Sequence, residues 1–76
     1  MRNLIIERVE ALQLEKQEGK RIPANPNELE LSKDLRVLLD SNFDWPRIEE
    51  ELDSLIAEGR ITVVGHTINK LRILNI

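Results

Sequence analysis

The chain has 76 residues, of which 41% are hydrophobic and 33% are charged, and this composition argues against disorder. Its length allows one hydrophobic core and one domain, which we assign to residues 1–76. The sequence contains no cysteine, which excludes disulfides and thiolate metal sites. No apolar run reaches the ~20 residues of a membrane span. The first acid, Glu7, comes too early in the chain for residues 1–7 to begin the apolar region of a signal peptide. We therefore expect a cytoplasmic protein that does not contact membranes.

The net charge of −3 is unevenly distributed along the chain. All fourteen acids lie between Glu7 and Glu58, so the first 59 residues hold eight bases and a net charge of −6. The remaining segment carries +3 from Arg60, Lys70 and Arg72. The charge of the whole chain argues weakly against a nucleic-acid partner, whereas the charge of the C-terminal segment does not.

The spacing of Ile5, Val9 and Leu12 predicts a first helix over about Arg2–Glu18, with these three side chains on its buried face. We expect Gly19 to end this helix in a left-handed conformation. A second apolar strip flanks the first and consists of Leu4, Ala11 and Leu14. It either widens the buried face or contacts a partner.

Residues 20–25 include Ile22-Pro23, and because the residue before a proline favours extended backbone, a short strand or an ordered loop is expected there. Asn25 is predicted to cap a second helix, with Pro26 at its first position and Glu28 three residues after the cap. This helix would turn four leucines inward: Leu31, Leu35, Leu38 and Leu39. An alternative makes residues 28–31 a short strand and starts the helix at Ser32.

A turn over residues 40–44 leads to a third helix, with Asp44 as its N-cap and Pro46 in its first turn. Gly59 ends this helix. Its apolar face carries Trp45, Ile48, Leu52, Leu55 and Ile56. Residues 60–64 then alternate and are rich in β-branched side chains, so they predict the first strand of a hairpin whose second strand covers residues 67–76.

The register of this hairpin depends on the turn. A two-residue turn at Gly65-His66 pairs Val63 with Ile68, whereas a turn one residue longer pairs Ile61 with Leu71. We favour the longer turn because it gives the hairpin one buried face, made of Ile61, Leu71 and Ile73.

The segment Ile48-x3-Leu52-x2-Leu55-x2-Glu58-Gly59-Arg60-Ile61 resembles the recognition helix and first wing strand of winged-helix domains. The order helix, short strand, helix, helix, hairpin is characteristic of that superfamily and covers the whole chain. The resemblance implies an α+β winged-helix fold and, as the usual function, a transcription regulator that binds double-stranded DNA. In that function the third helix enters the major groove and the wing contacts the neighbouring backbone or minor groove.

The charge of the third helix disagrees with this role. The resemblance places Arg47, Glu50, Glu51 and Ser54 against the groove, yet residues 44–58 hold six acids and one base, so phosphates would repel the helix. The hairpin has several donors and no acid, so its bases are either ordinary solvated charges that discourage edge-to-edge sheet pairing or a basic wing that provides the main contact with DNA. The nucleic-acid-binding residues that we expect are Arg47, Arg60, His66, Lys70 and Arg72.

The alternative hypothesis is a protein-interaction module. Its partner, another protein or a second copy of the chain, would contact the acidic third-helix face at Glu50 and Asp53 or the apolar strip at Leu4 and Leu14. Trp45 either anchors the edge of the core or forms an interface hot spot, where tryptophan is enriched.

Nothing in the sequence predicts catalysis. The one histidine, His66, has glycine and threonine as neighbours rather than a nucleophile or a carboxylate. Residues 49–51 are consecutive acids on a helix, so their carboxylates point in different directions and cannot converge on a metal. The sequence also lacks a glycine-rich phosphate loop and a nucleophile elbow. We expect a binding module that is not an enzyme, with no metal, cofactor or small-molecule substrate.

Overall fold

A computed structural model describes residues 1–19 and 25–76 of the chain. In these ranges three helices precede a two-stranded antiparallel hairpin, the α+β arrangement predicted from the sequence and one consistent with a winged-helix-like core. The elements are α1 (Arg2–Glu18), α2 (Glu28–Leu39), α3 (Trp45–Ala57), β1 (Thr62–His66) and β2 (Arg72–Asn75), with a 3-10 turn at Asp40–Asn42. The strand or loop predicted before α2 falls on residues 20–24, which lie outside the described part of the chain.

Nine apolar side chains with no solvent exposure form the core in the described residues, and all three helices contribute to it. They are Ile5, Val9, Leu31, Leu35, Ile48, Leu52, Leu55, Ile61 and Leu74. Burial of each such side chain stabilises the fold by about 1.5–3 kcal/mol. Leu74 is the only one of the nine that the sequence does not predict.

The two helix-ending glycines behave differently. Gly19 has φ −73° and its N–H donates to the Glu15 carbonyl, an ordinary α-helical bond, so the predicted left-handed stop is wrong. Gly59 has φ 76° and ends α3 as predicted. There the N–H groups of Gly59 and Arg60 donate to the carbonyls of Ile56 and Leu55, which closes the last turn.

The start of α2 lies two residues later than predicted, because Asn27 rather than Asn25 caps the helix. The Asn27 Oδ1 accepts the N–H of Glu30 at 2.9 Å. Asn27 also forms a bridge with Ile73 of β2, and the N–H of Leu74 donates to the Pro26 carbonyl at 2.8 Å. Residues 26–27 are thus held against β2, and the helix begins only after them. The alternative strand over residues 28–31 is also wrong.

The inward face of α2 is narrower than predicted. Leu31 and Leu35 are buried and Leu39 is partly buried against the core. Leu38 is 50% exposed, so its predicted inward position is wrong; it lies at the edge of the leucine face, beside α1.

Asp44 occupies the N-cap position of α3 as predicted, although its side chain makes no capping hydrogen bond. Ile48, Leu52 and Leu55 are buried on the predicted apolar face. Trp45 and Ile56 are half-buried and pack against the same core.

The hairpin register differs from both predicted alternatives. Thr62 pairs with Asn75, Val63 with Leu74, Gly65 with Ile73 and His66 with Arg72. Leu74 lies opposite Val63 and is fully buried in the core. The favoured prediction placed its neighbour Ile73 in the core, but Ile73 is only half-buried. Gly65 and His66 belong to β1 and do not turn the chain.

The chain instead reverses after β1, in a three-residue loop that runs from Ile68 to Lys70. The Thr67 N–H donates to the Leu71 carbonyl at 2.8 Å, and the Thr67 Oγ1 accepts the Leu71 N–H at 3.1 Å. Lys70 adopts φ 64°, the left-handed conformation that such loops require at their last position and usually give to glycine or asparagine. Because lysine rather than glycine occupies this position, the sequence does not mark the loop.

Candidate binding surfaces

Arg72 on β2 is at the centre of an ion-pair network that joins three elements. Its Nε and Nη2 donate to the two carboxylate oxygens of Glu28 at 2.8 and 3.0 Å, and its backbone N–H donates to the same carboxylate at 2.9 Å. Its Nη1 donates to the Asp53 Oδ1 at 2.7 Å. Glu28, the first residue of α2, is only 8% exposed. Arg72 thus fastens β2 to the beginning of α2 and to α3.

This network shifts the pKa values of both partners. Hydrogen bonds from Arg72 hold the pKa of Glu28 below its usual value, against the opposing effect of burial. The hydrogen bond to Glu28, supported by Asp53, raises the pKa of Arg72. Two carboxylates thus compensate the one positive charge of Arg72, which leaves fewer uncompensated bases on the hairpin than the sequence suggests.

The other expected nucleic-acid-binding residues are all exposed: Arg47, Arg60, His66 and Lys70. Within residues 1–19 and 25–76, no carboxylate lies within 4.0 Å of Arg47, Arg60 or Lys70. We call Arg60, His66 and Lys70 the exposed wing bases. Ile68, at the tip of the same hairpin, is fully exposed.

The acidic residues of α3 divide into paired and unpaired groups. Arg2 of α1 pairs with Glu58 and, at 3.4 Å, with Glu51, while Asp53 binds Arg72. Of the two residues expected to meet a protein partner on this face, Asp53 is engaged, whereas Glu50 is exposed and has no ion-pair partner in the described residues. Among the acids at positions 44–58, those without an ion-pair partner in the described ranges are Asp44, Glu49 and Glu50.

The predicted apolar strip on α1 lines a groove between α1 and α2. The groove has a volume of about 410 Å³ and is lined by Leu4, Glu7, Arg8, Glu10, Ala11, Leu14 and Leu38. Leu14 is 51% exposed and Leu38 is 50% exposed. Leu4 also packs against the core, so the strip both widens the buried face and lines an open apolar surface, which we call the α1–α2 groove.

Helix geometry explains why these residues share one face. Leu4, Glu7, Ala11 and Leu14 follow one another at spacings of three, four and three, the pattern that places side chains along one side of a helix. The buried Ile5 and Val9 lie on a different side of α1. α1 thus has two apolar faces, one packed in the core and one that lines the groove and is partly exposed.

Ion pairs hold the two helices that form the groove. Arg8 of α1 donates to both carboxylate oxygens of Asp34 of α2, at 2.7 and 3.0 Å, and these hydrogen bonds raise the pKa of Arg8. Lys16 donates to Glu30 at 2.7 Å. Since Arg8 is engaged, the groove lining contributes two uncompensated charges in the described structure, both negative, from Glu7 and Glu10.

A second, smaller cleft has a volume of about 260 Å³ and opens between α2, α3 and Leu71, the residue before β2. Its lining consists of Glu28, Leu29, Ser32, Trp45, Glu49 and Leu71. Trp45 packs against the core with one part and lines this cleft with another, so it stands at the edge of the core and is open to a partner. We call this site the Trp45 cleft.

The sequence does not predict most of the polar residues that line these surfaces, such as Glu7, Glu10 and Glu28, and it does not predict that Leu38 is open. Glu28 reads as a helix-start residue, and its arginine partner is 44 positions away, so no local pattern reveals the pair. Leu38 fits the apolar periodicity of α2, but this periodicity does not show that α1 leaves the Leu38 side chain partly exposed.

The described residues include no group of three or more His, Asp or Glu side chains that could hold a metal ion. Of the helices described, none combines the length and the apolar character needed to cross a membrane. Compared with known protein families, curated proteins and solved structures, the chain matches none.

Proposed function

We propose that this chain is a protein-interaction module, not an enzyme, which binds an amphipathic helix of a partner protein in the α1–α2 groove. The observation that carries the proposal is the apolar lining of this groove, in which Leu14 and Leu38 are about half exposed beside the half-buried Leu4 and Ala11. Docking of a helix through apolar side chains spaced by three and four residues is a recurrent mode of protein recognition.

The charge of the groove specifies the partner further. Glu7 lies within the apolar row of α1 and Glu10 lies at its side, so a complementary helix carries lysine or arginine opposite them. A symmetric contact between two copies of this face would bring together two patches that both carry the negative charges of Glu7 and Glu10, because such interfaces use the same patch twice. Like charges in contact oppose association, so a basic partner fits better than a second copy.

Calorimetric titration with two synthetic helical peptides tests this proposal. Both peptides carry leucine at helical spacing; one has flanking lysines and the other has glutamates in their place. The lysine peptide should bind with a weak, transient affinity that suits a small interface, and the glutamate peptide should bind at least about tenfold more weakly because it meets Glu7 and Glu10.

Matched variants place the binding in the groove. Leu38→Asp should weaken binding about tenfold or more, because it puts a charge into the apolar lining. Val37→Asp is the control, since Val37 is 82% exposed, is adjacent on α2 and does not line the groove. Equal binding of both peptides, or equal effects of the two substitutions, would contradict the proposal.

A second candidate function is DNA binding by a winged-helix regulator through the exposed wing bases. It is supported by Arg60 and Lys70, which have no carboxylate within 4.0 Å in the described structure. A duplex titration at two salt concentrations tests it: binding should weaken steeply with salt, and Arg60→Ala with Lys70→Ala should reduce the salt slope by about 2. Lys33→Ala, on α2, is the control. No binding at low salt would exclude this function.

A further inference from the structure

The Trp45 cleft differs in size and lining from the α1–α2 groove. Its volume of about 260 Å³ lies below the roughly 300–1,000 Å³ of pockets that hold whole small molecules. A space of this size suits a single side chain of a partner. Its walls include Leu29, which is 46% exposed, and Leu71, which is half-buried.

The charged groups at the cleft are both acids, but only one is uncompensated. Glu28 is held on both carboxylate oxygens by Arg72, so its charge is already compensated. Glu49 lies one helical turn after Trp45, lines the same cleft and has no ion-pair partner in the described part of the chain. The cleft thus combines an indole, aliphatic walls and one unpaired carboxylate.

We propose that the Trp45 cleft binds an arginine side chain of a basic protein segment. The aliphatic part of arginine packs on apolar walls, while its planar guanidinium interacts favourably with an aromatic ring and can bind a carboxylate with two hydrogen bonds. Leu29 and Leu71 supply the walls, Trp45 the ring and Glu49 the carboxylate.

The chain's single tryptophan provides the readout. Labelled protein is titrated with a peptide that carries three arginines separated by glycine, and the indole N–H resonance of Trp45 is followed. A matched peptide carries citrulline, which keeps the shape of arginine without its charge, and a third carries lysine. The arginine peptide should shift the Trp45 resonance to saturation, with affinity about tenfold above the citrulline peptide and above the lysine peptide.

Two neighbouring substitutions locate the contact. Glu49→Gln should weaken binding of the arginine peptide about fivefold to tenfold, because it removes the charged acceptor in the cleft. Glu50→Gln changes the adjacent acid, which does not line the cleft, and should alter the affinity by less than about twofold. Unchanged circular dichroism of both variants verifies the fold.

The outcomes separate this site from the groove. Equal binding of arginine and citrulline peptides, tighter binding of the lysine peptide, or no saturable shift of Trp45 would overturn the proposal. Equal weakening by the two substitutions would also overturn it, since it would indicate a general attraction to α3. Leu38→Asp, which disrupts the groove, should leave the Trp45 shift unchanged.

Discussion

The hairpin and the α1–α2 groove differ in how far the fold itself satisfies their side chains. On the hairpin, Arg72 is bound by Glu28 and Asp53, so its charge and its donors are used inside the molecule. In the groove, Leu14 and Leu38 remain about half exposed. A side chain that the fold leaves exposed is more available to a partner than one that is already bound, so the groove is a better candidate binding surface than Arg72, although Arg60 and Lys70 near it stay exposed.

The largest expected effect comes from truncating two leucines of α2, one buried in the core and one in the groove. Leu35→Ala should lower the free energy of unfolding by about 3 kcal/mol, because it opens a cavity in the core. Leu38→Ala should lower it by less than about 1 kcal/mol, because half of this side chain is already in water. Urea unfolding of the two variants measures both values. Equal losses would show that Leu38 belongs to the core rather than to an open groove.

Removal of Arg72 tests whether this residue is structural. Arg72→Met should lower the free energy of unfolding by about 2–3 kcal/mol, because it leaves the buried Glu28 carboxylate without its partner. Arg60→Ala, which removes an exposed and unpaired base, should change it by less than about 0.5 kcal/mol. Urea unfolding again provides the measurement. The double variant Glu28→Gln with Arg72→Met should recover part of the loss; if it does not, the pair is not coupled as described.

The pH dependence of stability provides a smaller and more specific test of the same pair. Because the pKa of Glu28 is lowered in the folded state, the stabilisation that its carboxylate provides is fully present above its usual pKa of 4.5. This stabilisation is lost as the pH falls through the pKa that Glu28 has in the folded protein. The free energy of unfolding should therefore decline below about pH 4.5 in the wild type. Glu28→Gln should show a shallower decline over the same range. Parallel pH profiles for the two proteins would contradict the role given to Glu28.

The features predicted well from the sequence are those set by local periodicity. The spacing of apolar residues identifies the three helices and the seven fully buried core residues that they carry, because a helix face depends on neighbours three and four positions away. The strip on α1 is also visible in the sequence, although the pattern alone leaves open whether the strip is buried or exposed.

The features that escape prediction depend on contacts between distant segments. The bridge between Asn27 and Ile73 decides where α2 begins, and nothing within α2 signals it. The reversal of the hairpin uses Thr67 hydrogen bonds and a left-handed Lys70, whereas the visible glycine, Gly65, lies within a strand. The same limit applies to the candidate sites, since the fate of Arg72 depends on a carboxylate 44 residues away.

Mapping of the bound surface tests the central claim most directly. Labelled protein is titrated in parallel with the lysine-flanked amphipathic peptide and with duplex DNA, and the backbone amide shifts are followed. We predict that the peptide shifts Leu4, Ala11, Leu14 and Leu38 to saturation, while the amides of Arg60 and Lys70 remain unchanged. A peptide that leaves the α1–α2 groove unshifted, while DNA shifts the wing residues, would contradict the account and establish the wing as the binding surface.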